Sequence, residues 1–218
     1  MTQANQKLLQ YLDEAHATEA GLVRVLQSQI AMTPRGSYRS GLEQHLRETR
    51  AHAERVQRRA RELGQRQNPL QTGIGVAETV IAQALALGKT PLDLLRGQSG
   101  EEKVLKNAKD ACATEALEMA TYTAIERLAR AVGDAETADM AAEIRADEEQ
   151  MLARVLEEIP DLAHAVVRAE LDGDPSYDAG TTGAADAARA ATGNGRSQPR
   201  TAAPRARGTA RGGTRTPR

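Results

Sequence analysis

Apolar residues recur along most of this chain at every third or fourth position, the period of helices that bury one face. The first stripe, Leu8, Leu12, Ala15, Leu22, Leu26 and Ile30, predicts a helix over residues 4–32, with Glu19 at a core position by spacing. Thr33-Pro34-Arg35-Gly36 interrupts it, because proline disfavours helical geometry in its predecessor and glycine permits a turn. Ser40 and Glu43 have capping-box spacing for a second helix, which carries the stripe Leu42, Leu46, Thr49, Ala53, Val56, Ala60, Leu63 and stops at Gly64. Ser99 and Glu102 repeat the box and open a third helix to about Val132, with Leu105, Ala108, Cys112, Glu115, Met119 and Tyr122 in register. Asp134 caps a fourth, whose stripe is Met140, Ile144, Glu148, Met151, Val155, Ile159. Pro160 is expected to end it, leaving residues 161–171 for a short fifth helix.

Short turns join the first helix to the second and the third to the fourth, so each pair should be an antiparallel hairpin. Residues 65–98 have a weaker pattern. Val76 to Leu87 reads as a helix and Thr90-Pro91 as a cap with proline at the first helical position. A link of that length can carry the chain from one end of a bundle to the other. Ala15-His16-Ala17-Thr18-Glu19-Ala20 also matches Ala111-Cys112-Ala113-Thr114-Glu115-Ala116 at all but one position, which suits two stacked hairpins. The fold expected is all-α, a four-helix bundle with one long crossover connection.

Composition sharpens this in two places. Aromatics are four Tyr with no Phe or Trp, so the core must be Leu, Val, Ile, Ala and Met, which favours helices packed side by side. The net charge of −1 divides into −9 over the first 188 residues and +8 beyond, since every acid precedes Arg189, the first of eight unopposed arginines. After Leu171 the chain is Gly, Ala, Thr, Pro and Arg with little to bury, so residues 172–218 are expected to be a disordered basic tail on a 1–171 bundle. Such a tail suits nonspecific, salt-sensitive contact with nucleic acid, or recruitment of a partner. One cysteine, Cys112, needs no oxidising compartment, and no apolar run reaches membrane-spanning length. The N-terminus also lacks the apolar stretch of a signal peptide, so a cytoplasmic location is expected.

The chemistry lies in acids on buried faces. Helical phase brings Glu19, Glu48, Glu115 or Glu118, and Glu148 toward the middle of the core, with His45 and His52 sharing a face with Glu48. Carboxylates gathered there repel one another unless cations are supplied. Divalent metals resolve the conflict, and imidazole nitrogen favours iron, manganese or zinc over magnesium. Tyr122 is placed to donate a hydrogen bond beside the acids. His16 and His164 read as surface or satisfied histidines, and Cys112 as a small apolar residue. The structural alternative pairs the acids with arginines such as Arg47, Arg50 and Arg145.

Tyr11-Leu12-Asp13-Glu14-Ala15-His16-x-x-Glu19, His45-Leu46-x-Glu48-Thr49-x-x-His52, Glu115-x-x-Glu118-x-x-x-Tyr122 and Glu148-Glu149 occur in that order. Over residues 5–160 the chain thereby resembles the ferritin-like bacterial stress proteins typified by YciE and YciF. The resemblance implies a ferritin-like fold, a di-metal site of iron or manganese, a stress association and a homodimer. By position it implies Glu19, Glu48, Glu118 and Glu148 as ligands, with His52 supplying nitrogen. The function expected is binding of one or two transition-metal ions, with oxidation of Fe(II) by oxygen or peroxide as the reaction if there is one. The alternative is a non-catalytic bundle with structural acids and a tail that binds nucleic acid.

Overall fold

The computed structural model describes residues 3–67 and 99–193. Four long helices account for most of them: α1 (Gln3–Met32), α2 (Ser37–Gln67), α3 (Gly100–Ala131) and α4 (Ala135–Glu170). A 3₁₀ turn (Ala179–Thr181) and a short α5 (Gly183–Gly193) follow. α1 packs along α2 and α3 along α4, and the two hairpins meet α1 to α3 and α2 to α4. Buried positions on α2 fall at Tyr38, Leu42, His45, Thr49, His52, Val56, Arg59 or Ala60, and Leu63. Those alternating steps of three and four keep one narrow seam against the neighbouring helices.

The core is divided into two apolar blocks. One joins Leu8 and Leu12 of α1 to Val56, Ala60 and Leu63 of α2, Tyr122, Ile125 and Ala129 of α3, and Ala138, Ala141 and Ile144 of α4. The other joins Leu26, Tyr38, Leu42, Val104, Ala108, Ala111, Met151 and Val155. These memberships fix the directions of the helices. The start of α1 meets the ends of α2 and α3 and the start of α4, so α2 finishes at one end of the bundle and α3 begins at the other. The connection between them therefore joins opposite ends, as the sequence predicts. The helix expected over Val76–Leu87 and the Thr90-Pro91 cap lie outside the described residues.

Local signals explain most boundaries. Ser99 caps α3 by accepting from the Glu102 N–H at 3.1 Å, and Asp134 caps α4 by accepting from the Thr137 N–H at 3.1 Å. Gly133 takes φ +77° in the turn between them, a conformation that side chains with a Cβ resist. Buried Arg59 then ties α2 to that turn, donating to Thr137 Oγ1 and Asp134 Oδ1, each at 2.7 Å.

Three expectations are corrected. α2 starts at Ser37, not at a Ser40 cap: the Ser40 hydroxyl donates to the Gly36 carbonyl, and Glu43 pairs with Arg39. α4 runs unbroken through Pro160 to Glu170. Pro160 and Leu156 are both exposed, so the backbone carbonyl that proline leaves without a donor lies on the wet face of the helix. Residues 172–193, which composition places in the tail, are packed on one end of the bundle. Glu101 Oε1 accepts from the Ser176 and Tyr177 N–H groups at 2.7 and 2.6 Å, and the Tyr177 hydroxyl donates to the Met32 carbonyl at 2.8 Å. The Arg35 N–H donates to the Thr181 carbonyl at 3.1 Å, while Arg35 and Arg39 both pair with Asp186 of α5. Residues 194–218, the rest of the expected tail, lie outside the described residues. Among the described residues no helix is long and apolar enough to cross a membrane.

Candidate metal centre

Between the two apolar blocks every long helix turns an ionisable side chain inward. α1 supplies Glu19, α2 supplies His45 and His52, α3 supplies Glu115 and Glu118, and α4 supplies Glu148; all are buried. Residues three and four apart on a helix share a face, so Glu115 and Glu118 reach the same level from one helix. His45 and His52, two turns apart, point into the core on either side of Thr49.

The groups form two clusters that meet at Glu148. His45, Glu115, Glu118 and Glu148 each place one ligand-type atom within 4.8 Å of the others, and Glu19, His52 and Glu148 do the same. His45 Nε2 lies 3.2 Å from Glu115 Oε1, and its Nδ1 is 3.9 Å from Glu148 Oε2. His52 Nδ1 is 2.8 Å from Glu148 Oε1 and 3.9 Å from Glu19 Oε1. On its outer side, His52 Nε2 sits 3.1 Å from Asp147 Oδ2. Tyr122 donates its hydroxyl hydrogen to Glu19 Oε1.

Close packing has not satisfied these atoms. Glu19 Oε2, Glu115 Oε2, Glu118 Oε2, both Glu148 oxygens and Nδ1 of His45 and of His52 are buried without a hydrogen-bond partner. The 2.8 Å approach of His52 to Glu148 is misaligned for a hydrogen bond, which leaves both atoms unpartnered. A buried polar atom left unsatisfied costs about 1–3 kcal/mol. Several of them, gathered in two clusters that share Glu148, could hold a metal ion.

Electrostatics agree. Burial pushes the Glu19 carboxyl up to about 8, with the neighbouring Glu148 charge adding to it. Burial likewise raises Glu115 and, further, Glu118, which faces Glu19, Glu148 and Glu115. Burial alone lowers the pKa of His45, but its contacts with Glu115 and Glu48 outweigh that and take it up to about 10. Without a cation the cluster holds itself together by protonating carboxyls and sharing imidazolium charge. Imidazole and carboxylate donors suit iron, manganese or zinc.

Of the residues singled out in the sequence, Glu19, His52, Glu115, Glu118 and Glu148 are brought together, and Glu115 and Glu118 both belong. Glu48 is not among them. Its side chain is 27% exposed, accepts from Gln44 at 2.8 Å, and lies 3.3 Å from Arg154. Contact with the His45 ring lowers its pKa to about 2. Its place in the first cluster is taken by His45. Helical phase does not single out Asp147; its signal is adjacency to Glu148, on the turn that faces the back of His52. The arginines that could have neutralised the acids are engaged elsewhere: Arg47 donates to the Glu43 carbonyl, and Arg145 pairs with Glu126 and Glu149. His16 is structural, with Nδ1 3.1 Å from the Ala53 carbonyl and Nε2 3.1 Å from Gln57.

Residues 3–170 match the family described as a domain of unknown function, DUF892. The chain belongs to this family. The match spans the four long helices and every member of both clusters. Two solved structures share the fold. One, a protein from Xanthomonas campestris pv. campestris strain ATCC 33913, is 21% identical with a TM-score of 0.60, covering 77% of this chain and 99% of its own. The other, the E. coli stress protein YciF, is 16% identical with a TM-score of 0.61, covering 75% and 99%. No curated protein matches the chain. At these identities the likeness is one of fold, and the site rests on this chain's own residues.

Proposed function

We propose that this DUF892 protein binds one or two transition-metal ions, iron or manganese, at the middle of its bundle, as part of a stress response. One ion would be held by His45, Glu115, Glu118 and Glu148, the other by Glu19, His52 and Glu148, with Glu148 shared. The observation that carries this reading is the set of unpartnered buried atoms on all six of those residues, gathered in two clusters that share Glu148. Asp147 behind His52 supports it, since a carboxylate on the far imidazole nitrogen fixes ring orientation and raises its basicity as a ligand. The stress association comes from the fold shared with YciF.

Iron at such a carboxylate-rich site supplies redox chemistry with oxygen or peroxide, with Fe(II) as the substrate consumed. The protein's part is to present anionic oxygens in a volume closed to bulk water. Glu19 is held in orientation by the Tyr122 hydroxyl, and the apolar blocks above and below keep the donor atoms at fixed separations. The test is direct. Chelator-stripped full-length protein should take up Mn(II), or Fe(II) without oxygen, show it by elemental analysis and melt at a higher temperature. Absence of both uptake and shift would sink the reading and leave the acids as structural groups.

A further inference from the structure

Glu48 lies beside the first cluster and touches solvent, and its position is divided. Its Oε2 lies 3.9 Å from His45 Nδ1, an atom of the site that is buried and unpartnered, and 3.3 Å from Nη2 of Arg154 on α4. The Arg154 side chain is 34% exposed, and its Nε is buried with no hydrogen-bond partner. The ion pair is therefore long and single-stranded and leaves the guanidinium Nε unpaired, while the other Glu48 oxygen, Oε1, accepts from Gln44 at 2.8 Å. A guanidinium that grips a carboxylate firmly does so with two parallel bonds at about 2.7–2.9 Å.

The sign of the field in the core explains the arrangement. Glu19, Glu115, Glu118 and Glu148 already crowd the site, so another carboxylate turning inward is repelled while no cation is present. Arg154 offers that carboxylate a positive charge at the rim. A divalent ion beside His45 reverses the balance, and the inward position becomes the better one. We propose that Arg154 is a stand-in cation that holds Glu48 out of the empty site, and that Glu48 leaves Arg154 to join the His45 cluster when a metal ion enters there. Glu48 would be the first ligand an incoming ion meets, and Arg154 the group that competes for it. This inference rests on the metal-binding reading above, and the experiment separates the two.

Co(II) is a suitable probe, since it takes the same oxygen and nitrogen donors as Fe(II) and withstands air. Its affinity for the stripped full-length protein is measured by calorimetry for wild type, Glu48→Gln, Arg154→Gln and the double variant. Losing the competitor should tighten binding about tenfold in Arg154→Gln, and losing the ligand should weaken it about tenfold in Glu48→Gln. In the Glu48→Gln background the Arg154 change should matter less than about threefold, because the two residues act through one contact. Arg154→Lys, which keeps the charge, serves as the folded control and should stay within about threefold of wild type. A crystal structure of the Co(II)-loaded protein should show a Glu48 oxygen on the ion and Arg154 released.

Equal gains from Arg154→Gln in both backgrounds would mean that the arginine acts only through its general field, and the proposal falls. Unchanged affinity in either single variant, or Glu48 still on Arg154 in the loaded crystal, also overturns it while leaving the metal site standing. Failure of the wild type to take up any Co(II) removes the metal site and this inference together.

Discussion

The apolar blocks at the two ends of the bundle and the acidic layer between them are built on the same four helices by the same spacing, yet they do opposite things. At the ends, side chains such as Leu12, Leu42, Ile125 and Ile144 are buried among their own kind. Each lowers the free energy of folding by the apolar area it removes from water. In the middle, Glu19, Glu118 and Glu148 are as deeply buried, and each raises it unless neutralised. A layer that costs stability on all four helices at one level is not a packing solution. The ends supply the stability that lets the middle exist, and the middle is where an ion would return some of it.

The largest effect should come from the ends. Leu12→Ala removes a fully buried side chain from the first block, and such truncations cost about 2–5 kcal/mol. Denaturant melts should show that loss, while the rise in melting temperature on adding Mn(II) survives, because no ligand is disturbed. If the metal response disappeared with Leu12, ends and middle would be a single unit and the contrast would fail. Next in size is the ion itself. A ligand at a hundred times its dissociation constant stabilises the native state by about 2.7 kcal/mol. Calorimetric scans should show most of that gain lost in Glu148→Gln, which removes charge from both clusters, and kept in Glu43→Gln, whose partner is Arg39 at the bundle end.

The division also explains what could be read beforehand. Apolar stripes and caps at Ser99 and Asp134 disclose the helices, because both depend on neighbours within a few positions. The inward acids are legible for the same reason: Glu19, Glu115, Glu118 and Glu148 sit in phase with leucines and alanines. Sequence spacing draws Glu48 into the site because it lies between two histidines. At about 100° per residue His45 and His52 are only about 20° apart, whereas Glu48 is about 60° from His45, on the flank away from buried Thr49. That angle puts it at the rim, where only the three-dimensional neighbour Arg154 settles its contacts. The segment from Asp172 to Gly193 was illegible for a different reason. It has almost no apolar period, and it is held by Glu101, Arg35 and Arg39, partners far away in sequence.

The pH response should also set middle against ends. Burial first, then the Glu148 charge, raises Glu19 from 4.5 to about 8 in the fold, so the folded state prefers its protonated form. The stability this contributes is present below pH 4.5 and is lost as pH rises through about 8. His45, raised from 6.5 to about 10, works in the same sense, with stability present below 6.5 and lost as pH climbs through about 10. Metal-free protein should therefore melt at progressively lower temperature between pH 5 and pH 8, and Glu19→Gln should flatten that slope. Metal-loaded protein should run the other way, because ligands must shed protons to bind. A metal-free melting temperature that is flat across this range would show that the acidic layer is not strained as its burial implies.

The smallest effect belongs to the strap that residues 174–186 lay across one end of the bundle. A Cβ added at Gly183 would stand 2.4 Å from the Ile30 carbonyl oxygen, a backbone atom that cannot swing aside. Gly183→Ala should therefore push the start of α5 off α1 and strain the Pro34–Thr182 bridge beside it. The strap buries little of the large apolar core, so its release is a local opening, and the melting temperature of the four-helix bundle should change by an amount equivalent to less than about 1 kcal/mol. Hydrogen exchange resolves what melting does not. The Ser176 and Tyr177 amides, protected by Glu101, and the Arg35 amide, protected by Thr181, should exchange faster in the variant, while amides flanking His52 and Glu148 keep their wild-type rates. Metal uptake should be unchanged, since the strap touches neither cluster. A large fall in melting temperature instead would mean that the strap clamps the two hairpins together, and that the apolar block beneath it depends on the strap for its stability.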